Sequence, residues 1–240
     1  MTRALIIARR EFFAYFRSPL AATVIAAALL IDGIYFYWKG LSEATLSAVA
    51  LAEFIFVAGG TAFLAGLVLA MRLIAEERQT RSITLINTAP IKDSEIVAGK
   101  FGAALAMVTL KTVLTAYMPL LLFVNGKVSV GHILVGYAGI LLYGAAGTAI
   151  GFFGSALARS QVVAIIVGLA ISGALVMMWM VAKATDPPIN SFLSGLALHH
   201  DNFQPFMVGR LELRGVVYYL AVIWFFLVAA TKVLEARRWR

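Results

Sequence analysis

Long apolar stretches separated by short polar breaks dominate the chain, and their lengths match a bilayer better than a globular core. A helix rises about 1.5 Å per residue and needs roughly 20 apolar residues to cross the hydrocarbon. Such stretches lie near residues 20–38, 54–74, 101–124, 131–157, 161–182 and 215–234, which predicts six transmembrane helices. They are continuous and rich in Ala, Leu and Gly, where a membrane barrel would show alternating segments of about ten residues. Ahead of them, Arg3, Arg10 and Arg17 fall on one helical stripe, with Leu5, Phe12 and Phe16 opposite. That pattern predicts an amphipathic interfacial helix over 2–18, ended at Ser18-Pro19 as the chain turns into the bilayer. A positively charged flank for the first span is the simpler alternative, but it leaves the aromatic face unexplained.

Composition supports the same architecture. The chain has 240 residues, of which 62% are hydrophobic and 13% charged, with a mean hydropathy of +0.91. Soluble domains are nearer 45–50% apolar. The expected fold is an all-α integral membrane protein, with 1–240 forming a single transmembrane domain. The net charge of +8 does not point to nucleic acid, because the basic residues flank the spans and form no single stripe. Arg3, Arg9, Arg10, Arg17, Arg72, Arg78, Arg81, Lys92, Lys100, Arg159, Lys232, Arg237, Arg238 and Arg240 fall on one side. Fewer, namely Lys39, Lys127, Lys183, Arg210 and Arg214, fall on the other. The positive-inside rule therefore puts both termini in the cytoplasm, with a bacterial cytoplasmic (inner) membrane as the expected location. Cysteine is absent, which excludes disulfides and thiolate metal sites. No small-residue cleavage pattern follows the first span, so it reads as retained.

The polar exceptions to this pattern carry the functional signal. Between Ile74 and Phe101 a compact charged loop carries Glu76, Glu77, Arg78, Arg81, Lys92, Asp93, Glu95 and Lys100. Glu77 precedes Arg81 by four residues, the favourable order for a helical ion pair. Ile83, Leu85 and Ile86 form an apolar patch before Pro90 ends the helix, and Asp93 or Ser94 can cap the next one. The loop reads either as a docking surface for a soluble partner or as a solvated connection with helical bias. Asp32 and Lys111 lie inside predicted spans, where charge is costly, and serve either helix packing or ion coupling. Pro119 predicts a kink in the third span.

Gly147 and Gly151, with Ala62, Gly66 and Ala70 in the second span, mark a close-packing face, within one subunit or between two. Residues 183–214 predict a short interfacial or re-entrant helix at the outer surface. His132, His199, His200 and Asp201 are also placed there. A metal site or a membrane enzyme built on His199, His200 and Asp201 is the weakest reading, because adjacent histidines diverge on a helix. No metal site and no catalytic residue are expected.

The segment MRLIAEERQTRSITLINTAPIKDSEIVAGKF resembles the region after the second span in permease subunits of ABC-2 type transporters, through Glu77, Pro90, Glu95, Ile96, Gly99 and Lys100. RREFFAYFRSP, with Arg10, Glu11, Tyr15, Phe16, Ser18 and Pro19, is similar to the opening of that family. DNFQPFMVGRLELRGVVYYL resembles the segment before the last span in the gliding-motility-associated branch. The pattern departs at Arg81, Ser82, Thr84 and Gly215.

The resemblance implies the membrane half of an ATP-driven exporter, with ATPase coupling through Arg10, Glu11, Glu76, Glu77, Arg78, Arg81, Ile83, Leu85, Ile86 and Pro90. It also implies a separate cytoplasmic ABC ATPase carrying ATP and Mg, no cofactor on this chain, and dimerisation with a second permease copy or a paralogue. Gly99-Lys100 and Gly126-Lys127 lack the upstream Gly and following hydroxyl residue of a phosphate-binding loop. The alternative is a membrane anchor that relays ATPase motion to an extracytoplasmic accessory protein without transport.

Overall fold

The computed structural model describes residues 3–42, 46–80, 91–125 and 128–238. The fold is all-α. Its elements are α1 (Arg3–Phe16), α2 (Pro19–Phe36), a π-helical turn (Tyr37–Ser42), α3 (Ser47–Gln79), α4 (Asp93–Leu114) and α5 (Tyr117–Asn125). They are followed by α6 (Val130–Leu157), α7 (Gln161–Lys183), α8 (Ile189–Leu196), α9 (His200–Met207) and α10 (Leu213–Arg238). Six segments among the described residues are long and apolar enough to cross a membrane: α2 with the start of the π turn, α3, α4 with α5, α6, α7 and α10.

The helices divide into a core and a shell. α3 and α6 share the largest helix pairing and are buried over most of their apolar length, whereas α2, α7 and α10 present mainly outward surface. The core pair can approach closely because glycines face backbone. A Cβ on Gly151 would meet the Leu67 carbonyl at 2.5 Å, one on Gly147 would collide with the Phe63 carbonyl, and one on Gly66 would strike Thr148 and the Gly144 carbonyl. Small residues allow such contact without a side-chain layer between the helices. The packing face of Gly147 and Gly151 therefore lies within this chain.

Ser155 strengthens the same seam. Its hydroxyl donates to the Met71 carbonyl at 2.7 Å and accepts from the Ile74 and Ala75 N–H groups at 3.0 and 2.9 Å.

Several boundaries differ from the sequence expectation. α3 runs well beyond 54–74 at both ends, because its final turns are held by protein contacts and do not need lipid. The third span is broken at Thr115-Ala116. Pro119 explains the break, since its ring clashes with the carbonyl four residues earlier and supplies no N–H. Lys92, in place of Asp93 or Ser94, occupies the cap position of α4; its N–H donates to the Glu95 carboxylate at 3.1 Å, and Asp93 moves into the first turn.

Residues 183–214, expected to form one short helix, form two, α8 and α9. They are tied together by Asn202 Nδ2, which donates to the Gly195 and Ala197 carbonyls, and held to α10 by Tyr218 and Tyr219, whose hydroxyls donate to the Leu196 and Leu198 carbonyls. Gly209, at φ +74°, reverses the chain against His132 on the way to α10.

Candidate coupling site

α1 is anchored to the bundle by polar contacts at the end of α3 and the start of α4. Tyr15 is buried, and its hydroxyl donates to the Leu69 carbonyl at 2.9 Å. Burial raises the Tyr15 phenol above its ordinary range, so it stays a neutral donor. Arg72 donates to Ser18 Oγ, lies 5.2 Å from the centre of the Tyr15 ring, and pairs with Glu76 at 3.0 Å. Gly99 lets α1 lie on α4, because a Cβ there would meet the Ala4 carbonyl at 2.6 Å. The face of α1 turned inward thus includes Tyr15, while Leu5, Phe13 and Phe16 are exposed.

Lys100 joins three helices at this level. Its ammonium lies 3.0 Å from Glu11 of α1 and 2.6 Å from Glu77 of α3, and its side chain is 3% exposed. Glu77 therefore pairs with Lys100 of α4. Beside the trio opens a cleft of about 220 Å³, lined by Arg10, Glu11, Arg72, Glu76, Thr80 and Lys100 among others. Arg78 points the other way: its Nη1 donates to the Ala156 and Ala158 carbonyls at 2.6 and 2.7 Å. Arg237 Nη2 donates to the Leu157 carbonyl at 2.8 Å. Two guanidinium groups thus satisfy the carbonyl end of α6, where the helix dipole favours cations. Arg81, Ile83, Leu85, Ile86 and Pro90 lie outside the described residues.

A second cluster lies deep in the bundle. Asp32 of α2 and Lys111 of α4 are both completely buried and lie 2.7 Å apart. Thr61 of α3 links them, its hydroxyl donating to Asp32 at 2.7 Å and accepting from Lys111 at 2.8 Å. Lys111 also donates to the Ala58 carbonyl at 3.2 Å. Lys111 thus has two hydrogen-bond acceptors and a carboxylate at ion-pair distance, and a buried charge paired in this way is tolerated.

The three histidines reach separate environments. His132 shares a hydrogen bond of 2.7 Å with the Met207 carbonyl, and His200 stacks on Trp179. His199 packs among Phe56, Tyr143 and Phe203. Burial, then the neighbouring His200, lowers its pKa below the ordinary imidazole value of 6.5.

The family model described as ABC-2 family transporter protein matches residues 32–230. The chain belongs to the ABC-2 transporter family. None of the curated proteins matches it. As an ABC-2 membrane component it is an integral membrane transport subunit, not itself catalytic, and the family implies partnership with an ABC ATPase.

The two polar clusters of this permease were visible in the sequence only in part. Asp32 and Lys111 stood out as charges in apolar spans, but Thr61 gave no signal, being one threonine in an apolar run. Ser155 and Arg237 were equally unmarked as contacts, since their partners are backbone groups far away in the chain, as was the reach of Arg72 to Ser18.

Proposed function

We propose that this permease is the transmembrane subunit of an exporter, dimeric with a second copy or a paralogue in a bacterial inner membrane, and that its cleft between α1 and α3 lies on the cytoplasmic side and receives the ATPase. The observation that carries this reading is the Glu11–Lys100–Glu77 trio beside the cleft. It connects the interfacial helix, the end of the core helix α3 and the start of α4 through one buried ammonium. A load applied at α1 or at the end of α3 passes through this junction and the glycine-lined α3/α6 seam, because close-packed interfaces move as units. The cleft balances Arg10, Arg72 and Lys100 against Glu11, Glu76 and Glu77, so it offers charges of both signs to a complementary surface of the ATPase. The resemblance of segment 201–220 to the stretch before the last span in the gliding-motility-associated branch supports assigning the chain to that branch.

The test is co-purification with the candidate ATPase, using Arg10→Glu and Glu76→Lys, followed by substrate-independent ATPase stimulation. Loss of association with retained fold is expected. Unchanged association and stimulation in both variants would remove the cleft from the docking surface. A second reading, relay of motion to an outer protein without transport, draws on the α8/α9 pair and its pocket of about 540 Å³ lined by Asp201, Arg210 and Glu212 among others. Flux in reconstituted vesicles supports export; ATP-dependent change in a bound outer protein without flux supports relay.

A further inference from the structure

The outward face of α4 contains a groove that neither the packing nor the coupling reading uses. It is lined by Gly102, Leu105, Ala106, Thr109, Leu110 and Val113, with Phe12 of α1 beside one end, and is a shallow, open trough of about 570 Å³. These residues form one helical stripe, and the opposite stripe, including Ala103, Ala104, Met107, Val108 and Lys111, is buried in the bundle. At the end nearest α1 the groove is open, since a Cβ added to Gly102 would meet nothing within 4 Å. The Thr109 hydroxyl donates to the Leu105 carbonyl of its own helix at 2.9 Å, so the stripe offers an occupant almost no polar group.

The mouth of the groove has a different character. Phe12 packs edge to face with Phe13 and Phe16, and the exposed Arg9 guanidinium lies 6.0 Å from the Phe13 ring centre. A cation therefore stands above an aromatic rim at the level where α1 lies, with a wholly apolar channel leading away from it. From Gly102 to Val113 the helix rises about 16 Å at 1.5 Å per residue, close to the depth of one leaflet in a hydrocarbon core of about 30 Å.

We infer that this groove is a binding site for one anionic phospholipid from the leaflet on which α1 lies, with an acyl chain along the α4 stripe and the phosphate against Arg9. Length, apolar lining and a cation at the headgroup end each match that ligand. A second copy of the chain would need no cation at the rim, and a soluble partner would not reach the leaflet interior. Arginine beside an aromatic rim suits a headgroup phosphate, because the guanidinium binds phosphate oxygens while its stem covers apolar surface. A lipid held there would brace α1 against α4, the two helices joined by Glu11 and Lys100.

The test uses the full-length chain purified in neutral detergent and titrated with phosphatidylglycerol or phosphatidylcholine of identical acyl chains, read by native mass spectrometry as retained adducts. Phosphatidylglycerol is expected to half-saturate at a concentration about fivefold lower, from roughly 1 kcal/mol per basic residue near the headgroup. Arg9→Gln is expected to abolish that preference. Gly102→Leu combined with Ala106→Leu is expected to remove the retained adduct of both lipids while circular dichroism shows the helix content unchanged. Equal binding of the two lipids by the unaltered chain, or retention of the adduct by the filled-groove variant, overturns the site. A fall in copy number in the filled-groove variant with adducts intact assigns the stripe to a contact between chains and also overturns it. No ATPase enters the experiment, so its outcome is independent of the coupling proposal.

Discussion

Lys111 and Lys100 lie on the same helix, and each joins three helices, yet their surroundings differ in charge and access. Lys111 is balanced by one carboxylate, a hydroxyl and a carbonyl, and no part of the Asp32–Lys111 pair reaches the surface. Lys100 faces two carboxylates whose side chains are 16% and 13% exposed, beside a cleft. A neutral cluster sealed from the surface cannot reach a partner and acts as a tie between α2, α3 and α4. A cluster whose carboxylates stay partly exposed at a cleft remains within reach of water and salt. The same residue type is sealed in one place and sits at a water-facing edge in the other.

The largest effect is expected from Lys111→Met, which strands Asp32 in an apolar interior and should cost about 3–5 kcal/mol. Thermal unfolding in detergent checks it. The double variant Asp32→Leu with Lys111→Met should recover most of the loss, since a buried pair replaced by apolar groups is often near neutral. If the double variant is as unstable as the single, the cluster is more than a neutral tie.

Lys100→Met should cost less, about 1–3 kcal/mol, because water in the cleft relieves the two carboxylates left behind. Its distinguishing mark is salt. The Glu11–Lys100 coupling energy from a double-mutant cycle should fall between 0.05 and 1 M KCl, as the Debye length shrinks from more than ~10 Å to ~3 Å, whereas the Asp32–Lys111 coupling should not change. Equal salt sensitivity would erase the contrast between dry and wet clusters.

Thr61→Val removes the hydroxyl between Asp32 and Lys111 while keeping volume, and should cost about 1–2 kcal/mol without altering ATPase association. A loss of association would show that the deep cluster takes part in coupling.

The smallest effect concerns His199, a half-buried titratable group with no carboxylate beside it and His200 as its neighbour. Its lowered pKa means that the folded protein resists protonation, so its stabilising contribution is complete above pH 6.5 and is lost as pH falls through the lowered value. His199→Phe, into a cage already formed by Phe56, Tyr143 and Phe203, should flatten that part of the unfolding profile between pH 7.5 and 5. An unchanged slope would place the acid sensitivity elsewhere.

Much of this architecture was legible in the chain because a bilayer makes it a one-dimensional problem. Span number follows from apolar length, α1 from the spacing of its arginines, and the break at Thr115-Ala116 from Pro119. The glycines of α6 and the small residues Ala62 and Gly66 of α3 announced a close-packed face, but whether it lay within one chain, and that the α3 carbonyls of Phe63 and Leu67 meet Gly147 and Gly151, was not readable from residue types. The candidate site was legible as a charged region and not as a set of pairs: the Glu77–Arg81 spacing falls on a residue outside the described ones, and the Glu77–Lys100 contact joins two different spans, which no local spacing announces.

The sequence by itself determined that this protein crosses the membrane six times and which charges are out of place in lipid, because hydropathy and helix rise alone decide both. Only the tertiary structure decided that Asp32 and Lys111 neutralise each other through Thr61, that Lys100 joins Glu11 to Glu77, and that α3 and α6 form the core. Each of those depends on how helices rotate about their axes and settle in depth, which is fixed by side-chain packing between segments far apart in the chain.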